Sequence, residues 1–108
     1  MEQRRTQRFA LQLPLSVVRS GVERTSLAGH TKNISSTGVL FTTESEPSVT
    51  GSIEYVITLN QDDKQPINLR CVGKVVRLER AANGYHEGEP AYHVAATLER
   101  YEFVRGKV

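Results

Sequence analysis

Short runs in which every second residue is apolar constrain this chain more than anything else in it. In Ser52–Leu59 the apolar side chains Ile53, Tyr55, Ile57 and Leu59 alternate with Glu54, Val56 and Thr58. That period of two is the mark of a strand with one buried face. Phe9, Leu11, Leu13, Leu15 and Val17 repeat it, with Pro14 on the opposite parity removing one backbone donor and suggesting an edge or a bulge. Leu27–Lys32 is a weaker run, Gly38–Thr43 is rich in β-branched and aromatic residues, and Ala91–Leu98 closes the series. Leu69–Leu78 is the longest, and Gly73 inside it marks a bulge or a close approach of another backbone. The punctuation between runs is equally regular: Gly21, a polar turn after Lys32, the 44–51 segment with Pro47 and Gly51, the polar 60–66 connection, and an 81–90 hairpin loop containing Asn83-Gly84. Six or so short strands with no convincing internal helix imply an all-β sandwich or barrel. The tail through Leu98, Tyr101 and Val104 has the spacing for a turn or two of helix, marginal without packing partners.

With 108 residues there is room for one domain with a real core. A net charge of +2 is too small to make nucleic acid or an anionic membrane the main partner. Four tyrosines, three phenylalanines and no tryptophan also fall short of the stacking platform that single strands require. Cys71 is the only cysteine, which excludes an intramolecular disulfide and fits a reducing compartment; within its strand it reads as a small buried hydrophobe. No apolar run approaches the ~20 residues of a membrane span, and Gln12, Pro14 and Ser16 break up the leucines behind the basic amino end. A secretory signal is not expected, and the expected location is the cytoplasm.

Catalysis finds little support. Ser35 lacks the surrounding glycines of a nucleophile elbow, and His30, His86 and His93 have no spacing with acids that makes a triad or a metal site. Two other stretches carry chemistry. In Asn33-Ile34-Ser35-Ser36-Thr37-Gly38, Asn33 and Ser35 are two apart and so share a face on a pleated strand. Gly38 leaves the backbone open to close approach. This is either a small ligand shelf or a hairpin turn whose Asn and Ser bond only to their own backbone. The chain also opens with Arg4, Arg5 and Arg8 against a single acid, Glu2. Arginine forks match phosphate edges and stack on flat rings, so a short arm of them can close over a charged, ring-bearing ligand; the alternative is a solvated basic tail.

Taken together, Arg-x-x-x-Arg before the first strand (Arg4, Arg8) and Asn-x-Ser-x-x-Gly later (Asn33, Ser35, Gly38) resemble the paired motifs of the PilZ domain family. Gly73–Arg77 and Tyr92–Ala96 extend that resemblance over nearly the whole chain. The resemblance implies a six-stranded antiparallel β-barrel and a non-enzymatic receptor for the bacterial second messenger cyclic di-GMP, with no cofactor. It divides the chain into a flexible arginine segment (1–8), the barrel (9–98) and a short tail (99–108). Arg4 and Arg8 would then grip phosphate and guanine edges, with Arg5 a third contact. Asn33 and Ser35 would bond a guanine, and Gly38 would keep the patch clear. Asparagine instead of aspartate at position 33 forgoes a charge-assisted acceptor and implies weaker binding. By parity Arg77 shares the apolar face of Leu69, Cys71 and Val75, which suits either a contact at the barrel mouth or a stem snorkelling to water.

Family members usually continue into a longer helix over the barrel; without it the cover of the barrel end is left open, and a partner chain can supply it. Gln3 leaves open one ligand or a stacked pair. Signal output implies a protein partner, a homodimer being one form of it, and neither nucleic-acid binding nor membrane insertion is expected. The alternative function is a barrel of this type serving as a protein-interaction module independent of nucleotide.

Overall fold

The structure is a computed structural model that describes residues 9–46, 51–60, 66–80 and 92–105. The three arginines of the arm, Arg4, Arg5 and Arg8, and the expected 81–90 hairpin loop lie outside the described residues.

Among the described residues seven strands follow one another: β1 (Pro14–Ser20), β2 (Glu23–Ile34), β3 (Gly38–Thr43), β4 (Ser52–Asn60), β5 (Ile67–Arg80), β6 (Tyr92–Thr97) and β7 (Arg100–Arg105). They pair antiparallel in the order β4-β1-β2-β3-β6-β5-β7, and a further β4–β5 pairing closes the first six into a barrel. Chain order explains how it is assembled. β1-β2-β3 is one meander of neighbouring strands and β4-β5-β6 is another. The two meet along a β1–β4 seam, Leu15 opposite Ile57, and a β3–β6 seam, Phe41 opposite Val94.

Alternation delivers the core as expected. Leu15 and Val17 of β1, Val39 and Phe41 of β3, Ile53, Tyr55 and Ile57 of β4, Cys71 of β5 and Val94 and Ala96 of β6 pack inside. Phe41 and Tyr55 stack with ring centroids 6.0 Å apart. The Tyr55 hydroxyl reaches through the barrel and donates to the Thr97 carbonyl at 2.9 Å. Gly73 makes that possible. A Cβ there would lie 2.7 Å from the Thr97 carbonyl carbon and nearer still to its oxygen, so only glycine lets the two strands come this close. The close approach expected at Gly73 is present. Gly21, at φ 63°, opens the two-residue turn between Ser20 and Glu23, with Val22 at an ordinary φ; this is the geometry that suits right-twisted hairpin strands.

Three details depart from the sequence expectation. The first strand starts at Pro14 rather than Phe9, because residues 9–13 are held by side chains and single bridges instead of a regular ladder. Thr31 Oγ1 accepts from the Leu13 amide at 2.9 Å and donates to the Leu11 carbonyl, and Thr31 N donates to the Leu13 carbonyl. Residues 100–105 form a strand and not a helical turn. The 67–72 edge of β5 extends past β6, and Arg100–Arg105 pairs there, Val72 opposite Arg100 and Ile67 opposite Arg105. Its aromatic and β-branched residues suit that pleated site, whereas so short a helix has nothing to pack on. Third, β5 carries a register shift between Val75 and Arg77, which changes the fate of Arg77. Among the described residues no helix is long and apolar enough to cross a membrane.

Candidate functional site

The site grows out of the end of β2. The ladder between β2 and β3 shifts register between Thr31 and Asn33, so Asn33 lies opposite Leu40. Leu40 in turn lies opposite Ala95, and Ala95 opposite Arg77. Directly paired residues share a sheet face, so Asn33, Leu40, Ala95 and Arg77 form one row across four strands on the outside of the barrel. With strands about 4.8 Å apart, the two polar ends of the row are roughly 14 Å apart. Gly38 and Thr97 form the start of the next outward row. A groove of about 350 Å³ follows these rows, lined by Asn33, Thr37, Gly38, Val76, Arg77 and Thr97 among others.

Asn33 and Gly38 are therefore brought together with Arg77. Arg77 does not lie on the apolar face that simple alternation assigns it: the extra residue at Val76 turns the strand over, and Arg77 points outward with its side chain 65% exposed. Its ion pair with Glu79 is long, at 3.9 Å, and exposed on both sides, a type worth little in water. At Gly38 a Cβ would meet only the Ala96 carbonyl, at 3.1 Å, and the groove floor is otherwise clear.

Ser35 stands apart. It is buried, and its hydroxyl accepts from the amides of Gly38 at 3.2 Å and Thr37 at 3.3 Å while its own proton can reach the Gly38 carbonyl at 3.2 Å. Such bonds are how serine closes a turn on itself. Ser35 holds the shape of the turn that presents Asn33, Thr37 and Gly38, and does not line the groove with them. Thr37 is a lining residue that motif reading passed over, although its hydroxyl position within the turn follows from Ser35 and Gly38 fixing the backbone around it. Val76 carried no signal, since nothing in the sequence marks the bulge.

The arginine arm is outside the described residues, but its point of attachment is not. Phe9 and Ile34 exchange backbone hydrogen bonds, Phe9 N to the Ile34 carbonyl at 2.9 Å and Ile34 N to the Phe9 carbonyl at 3.0 Å. The residue that follows Arg8 is thus fastened to the residue that follows Asn33. A family model for the PilZ domain matches residues 2–101. The chain belongs to the PilZ domain family. No curated protein and no solved structure matches it significantly. PilZ domains are receptor domains for cyclic di-GMP as a family, binding modules rather than enzymes. The barrel of this PilZ domain is closed by six antiparallel strands, and β7 is added outside it.

Elsewhere the ionisable groups inside the barrel are inert. Burial pushes the Cys71 thiol up to about 12, and burial followed by the nearby Cys71 and Glu99 pushes the Tyr55 hydroxyl well above its usual value. Neither offers a nucleophile at neutral pH.

Proposed function

We propose that this PilZ domain is a non-enzymatic cyclic di-GMP receptor whose ligand lies in the groove across the β3–β6 seam. The observation that carries the reading is the Phe9–Ile34 bridge beside Asn33. It holds the residue after Arg8 against the strand that brings Asn33 to the groove. Five residues extend at most about 18 Å, so Arg4 and Arg8 can both reach a ligand seated there. Arg8 and Arg4 supply forks for the phosphates and for guanine O6 and N7. Asn33 and Arg77 bond polar edges at the two ends of the row, and Gly38 keeps the floor low. Ser35 contributes by holding the turn. Binding draws the arm down and presents a changed surface to a protein partner.

Calorimetric titration with cyclic di-GMP tests this. The full chain is expected to release heat and gain thermal stability; neither effect at millimolar ligand would overturn the reading. Arg8→Ala is expected to weaken binding about tenfold to a hundredfold, the cost of a charge-assisted hydrogen bond, and Arg5→Ala less. Arg77→Ala is expected to weaken binding with no change in melting temperature, and Ser35→Ala to lower both.

A further inference from the structure

β7 is left with an open edge. One side pairs with β5; among the described residues no strand pairs with the other. The inward rows of the barrel run on into it, Tyr101 opposite Cys71 and Phe103 opposite Leu69, but beyond the barrel wall these rings are 59% and 66% exposed and touch edge to face at 6.2 Å. Phe9 and Leu11, held at the Ile34 end of β2, are also 51% and 45% exposed. A bare backbone edge that carries exposed aromatic rings is a pairing template.

We propose that the occupant is a second copy of this chain, with β7 pairing antiparallel to β7 of its twin around a two-fold axis. Opposed residues in such a pair must share a face, so the axis passes through a residue and not between two. Centring it on Glu102 sets two carboxylates face to face, which is unfavourable. Centring it on Tyr101 drives the twin strand into Leu98 and Thr97, whose edge is already taken by the Thr37 carbonyl and by Gly38. Centring it on Phe103 meets neither obstacle. Phe103 then faces Phe103, each Tyr101 ring lies under the Arg105 guanidinium of the other copy, and Glu102 faces Val104. The contact is isologous and closes as a dimer, with the aromatic rings as its anchors and a cation over an aromatic face at each end. It does not depend on whether the groove holds nucleotide.

Sedimentation of the full chain over a wide concentration range is expected to show a monomer–dimer equilibrium, with Phe103→Lys raising the dissociation constant at least tenfold while the melting temperature of the dilute monomer stays unchanged. A cysteine substitution fixes the register independently. Opposed Cα atoms stand roughly 4.5–5.5 Å apart, within disulfide range. Under mild oxidation Phe103→Cys is expected to form a covalent dimer, while Glu102→Cys and the parent chain with its buried Cys71 do not. A monomer at every concentration, a dimer indifferent to Phe103→Lys, or Glu102→Cys linking as readily as Phe103→Cys would each overturn the proposal.

Discussion

Glycine positions that look alike in the sequence have opposite meanings in the barrel. Gly73 lies against the Thr97 backbone, and Gly73→Ala must push β5 away from the β6–β7 junction and from the Tyr55 hydroxyl that bonds there. A loss of about 2–4 kcal/mol is expected, read by urea unfolding. Gly38 has only a carbonyl at 3.1 Å, so Gly38→Ala is expected to cost less than about 1 kcal/mol while placing a methyl group on the groove floor and weakening ligand binding in the same titration. The interior also sets a pH dependence. The Cys71 thiol titrates near 9.0 when exposed and near 12 when folded, so the fold favours its protonated form. The resulting stability is full below pH 9.0 and is lost as the pH climbs toward 12, with Tyr55 acting in the same direction. Urea midpoints measured on either side of pH 9.0 should show the decline, and Cys71→Ala should flatten part of it.

Among the elements, the strap over residues 9–13 is the one on which the proposed receptor depends. Thr31 bonds both Leu11 and Leu13, and so holds the residues that follow the arginine segment. Thr31→Val keeps the shape but strands the Leu13 amide, so a loss of about 1–3 kcal/mol is expected by denaturant unfolding. Weaker cyclic di-GMP binding should accompany it, because the arm loses its fixed origin. Strands also differ in how plainly the sequence announces them. Gly38–Thr43 and Ser52–Leu59 were visible nearly to the residue because strict alternation leaves a strand only one way to face the core. The bulge at Val76 was not visible, since one inserted residue reverses a face without changing composition, and it turned Arg77 outward into the row with Asn33. Residues 100–105 were misread for a related reason: Leu98, Tyr101 and Val104 fit helical spacing, while the partner that makes them a strand is the far end of β5, thirty-odd positions earlier. The Asn33–Gly38 stretch read either as a ligand shelf or as a self-bonded turn, and it divides between the two: Ser35 spends its hydrogen bonds on the turn, while Asn33 and Gly38 line the groove.

For the molecule as a whole, the two meanders matter more than any single strand. Asn33, Thr37 and Gly38 come from the first, and Val76, Arg77 and Thr97 from the second. Hairpin neighbours can zip locally, but the β1–β4 and β3–β6 seams join residues far apart along the chain, Leu15 with Ile57 and Gly38 with Thr97. Such long-range closure places folding in the millisecond-to-second range. Stopped-flow refolding followed by tyrosine emission is expected to show it. A cut between β3 and β4 would leave each fragment with only part of the groove's lining, Asn33, Thr37 and Gly38 on one and Val76, Arg77 and Thr97 on the other. Mixing the fragments should restore nucleotide capture only as they recombine, so that occupancy of the groove reports that the last joint in the barrel has shut.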